Sequence, residues 1–120
     1  MESINQVTLK GRLGDDAEAR AFASGDRVVR FRLATNGIYT DRNGEPRPNT
    51  DWHNVSVYPQ ALVETCARLK KGDLVQVEGK LETRSYEKEG QKHYATEVAV
   101  RSTAAGHSVQ FVAHPQPRAG

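Results

Sequence analysis

The sequence predicts an all-β domain with one helix, closed into a five-stranded Greek-key barrel. Three observations carry that prediction. Segments of period-two alternation recur along the chain, separated by turns rich in Gly, Asp and Pro. One segment with apolar residues at helical spacing stands between the third and fourth of the main strands. The length of 120 residues allows a single domain, and a hydrophobic share of 37% is enough for a small core.

The first strand spans residues 5–12, with Val7 and Leu9 inward and Thr8, Lys10 and Arg12 outward. Gly11 and Gly14 flank its end, Asp15-Asp16 marks a bend, and residues 18–22 read as an edge strand. Ser24-Gly25-Asp26 is a turn signal before the second main strand at 28–35, which points Val29, Phe31 and Leu33 inward and Arg30 and Arg32 outward. The chain then leads away past Tyr39 into residues 41–49. Gly44, Pro46, Pro48, Arg42 and Arg47 make this a mobile basic hairpin loop.

The third strand, residues 50–58, carries the sharpest pattern. Trp52, Asn54, Ser56 and Tyr58 share one face, and Asp51, His53, Val55 and Val57 the other. The valine side is the core side, so the only Trp of the chain faces water with Tyr58, roughly 20 Å further along the strand. Pro59 suits a helix start. Leu62, Cys66 and Leu69 form one apolar stripe of a three-turn helix, with Lys70 and Lys71 in its last turn and Gly72 as its C-cap. The fourth strand, residues 73–86, turns Val75, Val77, Gly79 and Leu81 inward. Its outward face holds Gln76, Glu78, Lys80, Glu82, Arg84 and Tyr86. A tip at 87–91 leads to the fifth strand at 93–101, with Tyr94, Thr96, Val98 and Val100 on one face. Residues 108–112 read as a last short strand, so the domain spans 1–112 and 113–120 form a flexible tail. A helix between the third and fourth of five strands is the layout of the OB barrel.

Composition narrows the function. A net charge of only +2 means that any anion binding depends on where the charges sit. One cysteine excludes an internal disulfide and suits a reducing compartment. No apolar run is long enough to span a membrane and no signal-peptide pattern opens the chain, which suits a soluble intracellular protein. Asp51, His53 and Ser56 resemble a hydrolytic triad only on paper, because Ser56 points away from the other two. The four histidines lack metal-ligand spacing and no cofactor is expected. No carboxylate cluster on the outward face suggests a nuclease.

What remains is a stacking face. Trp52, Tyr58, Tyr86 and Tyr39 stand among Arg30, Arg32, Arg47, Lys80 and Arg84, with Asn54 between them. Rings that accept any base, interleaved with cations that attract phosphate, suit single-stranded nucleic acid without sequence preference. Lys70 and Lys71 either add to that field or complement the helix dipole.

Along the chain run Asn5-x-Val7-x-Leu9, Gly11-Arg12-Leu13-Gly14-x-Asp16-x-Glu18-x-Arg20 and Ser24-Gly25. They continue with Leu33-Ala34-Thr35, Gly44-Glu45, Thr50-x-Trp52-His53-x-Val55 and Leu69-Lys70-Lys71-Gly72. Val77-Glu78-Gly79-Lys80-Leu81, Arg84-x-Tyr86 and Tyr94-x-Thr96-Glu97-Val98 complete the set. In this order the sequence resembles the bacterial-type single-stranded-DNA-binding proteins. The resemblance implies an OB-fold binder of single-stranded DNA, usually a homotetramer, acting in replication, recombination and repair in the bacterial cytoplasm at the nucleoid. It places stacking aromatics at Tyr39, Trp52, Tyr58 and Tyr86, and His53 at the oligomer interface. The family often has Trp or Phe where this chain has Tyr, which implies somewhat weaker stacking. A primosomal-type OB adaptor is the alternative, and the Trp52-His53 pair with all four aromatic positions favours the first reading. The family usually ends in an acidic, hydrophobic tip that recruits repair and replication proteins. No acid follows Glu97 here, so tail-dependent recruitment is not expected of the sequence as given.

Overall fold

The structure, a computed structural model, describes residues 2–115 of the chain. Strand β1 (Val7–Leu13) buries Leu13, half-buries Val7 and Leu9, and turns Thr8, Lys10 and Arg12 to solvent. The short edge strand β2 (Glu18–Ala21) pairs with β3 (Arg27–Thr40). β3 pairs in turn with β4 (Pro46–Val57) along its whole outer length. After helix α1 (Gln60–Ala67) come β5 (Leu74–Lys88), β6 (Gln91–Val100), one 3₁₀ turn at Thr103–Ala105, and β7 (Ser108–Ala113).

Five of these strands close into the expected barrel. β1 pairs with β3, β3 with β4, β4 with β6, β6 with β5, and β5 returns to β1. Every contact in the ring is antiparallel except β4–β6, and α1 lies between the third and fourth barrel strands. This is the OB topology. Val29, Phe31 and Leu33 meet Val55, Val57, Val75, Val77, Val98 and Val100 in the core, as the alternation requires. The walls crowd at Gly11, where an added Cβ would stand 2.1 Å from the Ala34 carbonyl oxygen, so only glycine fits. No helix among the described residues is long and apolar enough to cross a membrane.

The strands are longer than their alternation suggested. β3 runs on to Thr40 and β4 begins at Pro46, so residues expected in a basic loop are paired strand, down to Thr40 opposite Pro46. The two prolines are tolerated because β4 pairs with β6 only at Val55–Val57, which leaves its other edge free at the arm. The remaining turn is tied by Asp41. Its carboxylate accepts the Asn43 and Glu45 backbone N–H groups and the Arg47 Nε, each at 2.9 Å. The Glu45 N–H, then the Arg47 side chain, hold this carboxyl below the usual carboxylate range. β5 and β6 form a second long hairpin. With two arms leaving a small barrel, the radius of gyration is 16.6 Å. A compact chain of this length scales to about 13–14 Å.

Two expectations are corrected. The helix has eight residues and ends before Lys70 and Lys71, with Arg68 rather than Gly72 as its C-cap. The next backbone N–H groups have other partners: Lys70 donates to Asp73 Oδ2 and Lys71 to Asp16 Oδ1, both at 2.9 Å. The two lysines thus lie beyond the last turn of the helix, which carries no basic residue. The helix buries Val63 with Cys66, while Leu62 is only half-buried. Leu81, expected inward, is 49% exposed because β5 has by then left the barrel for its arm. Asn5 pins the backbone there, exchanging hydrogen bonds with Leu81 at 2.8 and 2.9 Å. β7 ends at Ala113, and His114 Nδ1 lies 3.1 Å from the buried Asp73 carboxylate. The rest of the expected tail, residues 116–120, lies outside the described residues.

Cys66 is buried in the apolar core, and desolvation pushes its thiol up from 9.0 to about 11. The unfolded thiol ionises first, so stability present below pH 9 should fall as pH rises from about 9 toward 11. Denaturant midpoints measured across that interval should drop for the wild type and stay flat for Cys66→Ala. At pH 8 the folded thiol should resist a disulfide reagent that labels it at once in denaturant.

Candidate nucleic-acid interface

The outward face of β3 and β4 is built by cross-strand register. Arg30 lies opposite Ser56, Arg32 opposite Asn54, and Ala34 opposite Trp52. Beside it, the even face of the β5–β6 arm holds Lys80, Glu82, Arg84 and Tyr86, paired with Ala99, Glu97, Ala95 and His93. Between the two faces runs an open groove of about 360 Å³, lined by Arg30, Arg32, Asn54 and Arg84 among others. The structure thus brings four of the expected contact residues into one depression.

Trp52 is 51% exposed, as the alternation requires of a non-core ring. Its indole reaches across the sheet to Gly14, where an added Cβ would be 2.4 Å from Cζ3 and 2.8 Å from Cη2. Glycine here leaves room for the ring to lie against the backbone. The Arg32 guanidinium sits over the indole, 4.8 Å from the ring centre. Tyr86 is half exposed and stacks on His93 directly across the hairpin, with centroids 5.4 Å apart and planes 21° from parallel.

Tyr58 differs from its expected form. It lies just past the end of β4, half-buried, with Arg101 stacked on one face of its ring at 3.6 Å. Its hydroxyl donates to Glu97 Oε1 at 3.0 Å. Ser56, expected to face water, is 1% exposed and donates to Glu97 Oε2 at 2.6 Å. It does point away from the core, but into the floor of the groove. Arg84 reaches the same carboxylate oxygen at 3.3 Å.

Glu97, only 8% exposed, is thus the hub of that floor, and sequence reasoning missed it. Its signal was the Thr96-Glu97-Val98 motif, read only as a family mark. Glu97 also stands opposite Glu82, a like-charge pair that the register alone would disfavour. Each acid has its own guanidinium. Arg101 grips Glu82 through two bonds of 2.6 and 2.7 Å, which chiefly hold the Glu82 carboxyl below its ordinary range and the Arg101 guanidinium above its own. Arg101 was likewise not singled out in the sequence.

The other expected residues fall outside the groove. Tyr39 lies opposite Arg47, on the arm face that also carries Thr35, Asp51 and His53, the reverse of the Trp52 face. Lys70 and Lys71 sit by Asp16, with Lys70 Nζ 3.8 Å from its carboxylate. Lys80 pairs with Glu82 at 3.6 Å. His53 is half-buried, its Nε2 2.8 Å from Thr35 Oγ1, so its ring engages Thr35 and not Ser56. Among the described residues no three His, Cys, Asp or Glu side chains are placed to hold a metal.

Most of the cations are paired: Arg32 with Asp15, Arg47 with Asp41, Lys70 with Asp16, Lys80 with Glu82, Arg84 with Glu97. Arg30 is the exception in the groove. No carboxylate pairs with it among the described residues, and its Nε is buried without a hydrogen-bond partner.

Comparison with known proteins places the chain in a family. The model of the single-strand binding protein family matches residues 4–112. The chain belongs to the single-strand binding protein family. Its relatives include single-stranded DNA-binding protein 1 of Chlorobaculum tepidum, 44% identical over 79% of this chain and 60% of that protein. The single-stranded DNA-binding protein of Neisseria meningitidis is 41% identical over 71% of this chain and 49% of that protein. The chain therefore spans only about half to three-fifths of the length of these curated relatives. Among solved structures, the SSB of Plasmodium falciparum in complex with ssDNA superposes with a TM-score of 0.85 at 34% identity, covering 94% of this chain and 98% of that one. The single-stranded DNA binding protein of Thermus aquaticus, solved as a deletion mutant, gives 0.75 at 28% identity over 92% of this chain and 51% of that one. Membership fits the OB barrel.

Glu97→Ala should strand the Ser56 and Tyr58 hydroxyls and release Arg84. An expected loss of about 1–3 kcal/mol follows from unsatisfied buried donors. Chemical denaturation checks it, and an unchanged midpoint would show that the hub carries no stability.

Proposed function

We propose that the chain binds single-stranded DNA with little sequence preference, as a binding protein and not an enzyme. One observation supports this most: the exposed Trp52 ring lies on the same outward face of the β3–β4 sheet as Arg30, which no carboxylate pairs among the described residues. The ring offers a stacking surface to any base, and the guanidinium a donor to phosphate. Arg32 and Asn54 stand between the two on the same face, and Arg84 lines the far side of the groove beside Arg30. Tyr86 extends the stacking surface along the second arm, Tyr58 offers one ring face, and Tyr39, with Arg47, serves the reverse side of the first arm. Lys70, Lys71 and Lys80 add positive field at the margins. Such a protein covers single strands exposed in the cytoplasm during replication, recombination and repair.

The chain assembles as a homotetramer in this reading. Its support is the face that continues the barrel interior along the β5–β6 arm, where Leu81 and Tyr94 stand exposed. His53 and Leu81 share a shallow depression with Val98, which joins that face to the β3–β4 arm. Light scattering at micromolar concentration should return four times the chain mass, and a monomer mass would sink this assignment.

Trp52→Ala tests the binding reading. Stacking of one base is worth about 1–3 kcal/mol, so oligo-dT affinity should fall about five- to a hundredfold. The melting temperature should barely move, because the ring is outside the core. In the same titrations, repeated across salt concentrations, three phosphates neutralised by Arg30, Arg32 and Arg84 would give a log–log slope of about 2 in magnitude. A flat salt dependence would mean that the basic face is only solvated.

A further inference from the structure

Two of the three groove arginines, Arg32 and Arg84, are already held by acids of the same chain, and the Arg32 pair touches the Trp52 ring. Arg32 Nε and Nη2 both donate to Asp15 Oδ2, at 3.2 and 2.7 Å. The same guanidinium lies 4.8 Å from the centre of the Trp52 ring. Asp15 directly follows Gly14, whose backbone abuts the indole. Asp15, Arg32 and Trp52 thus form one continuous contact, and Asp15 and Arg32 both line the groove.

The form of the ion pair is informative. Both guanidinium nitrogens share a single carboxylate oxygen, so the fork of the arginine is not matched by two acceptors. A phosphodiester has two non-bridging oxygens that accept one N–H each, the geometry in which guanidinium–anion bonds are strongest. Side-chain exposures of 64% for Asp15 and 51% for Arg32 make the existing pair a weak one that a ligand can displace.

We propose that Asp15 occupies, in the free chain, the place on Arg32 that a backbone phosphate of the bound strand takes, and that it holds the guanidinium over Trp52 until then. Asp15 is a positioning residue that attenuates binding. On arrival of the strand, the phosphate takes the Nε/Nη2 edge of Arg32, Asp15 is released to water, and the indole face is uncovered for a base. The inference rests on the single-strand reading above and adds a residue to it that opposes binding.

The test is a set of oligo-dT titrations at low salt on the wild type, Asp15→Asn, Asp16→Asn, Arg32→Ala and the Asp15→Asn/Arg32→Ala double variant. Asp16→Asn removes the same charge one residue away without touching Arg32; because it also frees Lys70, its gain sets an upper bound on general repulsion. Asp15→Asn should tighten binding about two- to fivefold, the strength of an exposed ion pair. That gain should exceed the gain from Asp16→Asn and vanish in the Arg32→Ala background. A second readout needs no DNA: acrylamide should quench the fluorescence of Trp52, the only Trp, more readily in Asp15→Asn and in Arg32→Ala than in the wild type. A wild type that binds, with an Asp15→Asn gain no larger than that of Asp16→Asn or persisting without Arg32, would overturn this inference alone. A wild type that binds no oligo-dT would overturn the single-strand reading and this inference with it.

Discussion

The parallel pairing of β4 with β6 sets the rest of the structure. It is only three residues long, with Val55, Ser56 and Val57 beside Val98, Ala99 and Val100. Barrel closure needs no more, because the valines of both strands fill the core from here. Beyond it the two strands part, and each keeps its hairpin partner instead. β4 stays with β3 and β6 with β5, so both hairpins leave the barrel as arms. The angle between the arms is the groove, and its floor lies where the pairing stops. Ser56 and Glu97 meet there at 2.6 Å, bonding the two strands through side chains where the ladder between them ends.

The floor explains how a chain of net charge +2 presents a basic face. A buried carboxylate is costly unless hydrogen-bonded, and Glu97 takes bonds from Ser56, Tyr58 and Arg84. The acids of the groove fix the cations in place, so the guanidinium groups are ordered before a ligand comes. The consequence is a competition. A phosphate approaching Arg32, Arg84 or Arg47 meets a cation that an internal carboxylate already shares. Arg30 alone among the groove arginines has no such rival among the described residues. Local arrangement and not net charge therefore decides where an anion is held.

The barrel was legible because its strands alternate cleanly: Val29, Phe31, Leu33, Val55, Val57, Val75 and Val77 all lie in the core as their spacing requires. Trp52 was legible for the same reason. The arms were not, because Pro46 and Pro48 beside Gly44 carry loop signals, and only the β3 partner keeps the two prolines in strand. Leu81 followed the right period but lies past the barrel, where the inner face has nothing to cover it. The helix was read too long because Leu69, Lys70 and Gly72 suit a helix end; Asp73 and Asp16 bind the Lys70 and Lys71 N–H groups instead. Glu97 and Arg101 were illegible as site residues, since their roles arise from partners up to 43 residues away in sequence, such as Tyr58 for Arg101.

The register also constrains how a strand of nucleic acid can lie. Trp52 stands opposite Ala34, and Tyr39 is five residues further along β3. At about 3.3 Å per residue that separates the two rings by roughly 16 Å along the arm. An odd number of residues reverses the face, so Tyr39 looks away from the groove with Thr35 and His53. A straight ligand in the groove reaches Trp52 and the arginines but not Tyr39. A strand that stacks on both rings has to turn around the edge or the tip of the β3–β4 arm. Asp41 stiffens that tip through its three bonds, and Arg47 stands beside it on the Tyr39 face. The arm thereby carries a ring on each face and a cation at its end.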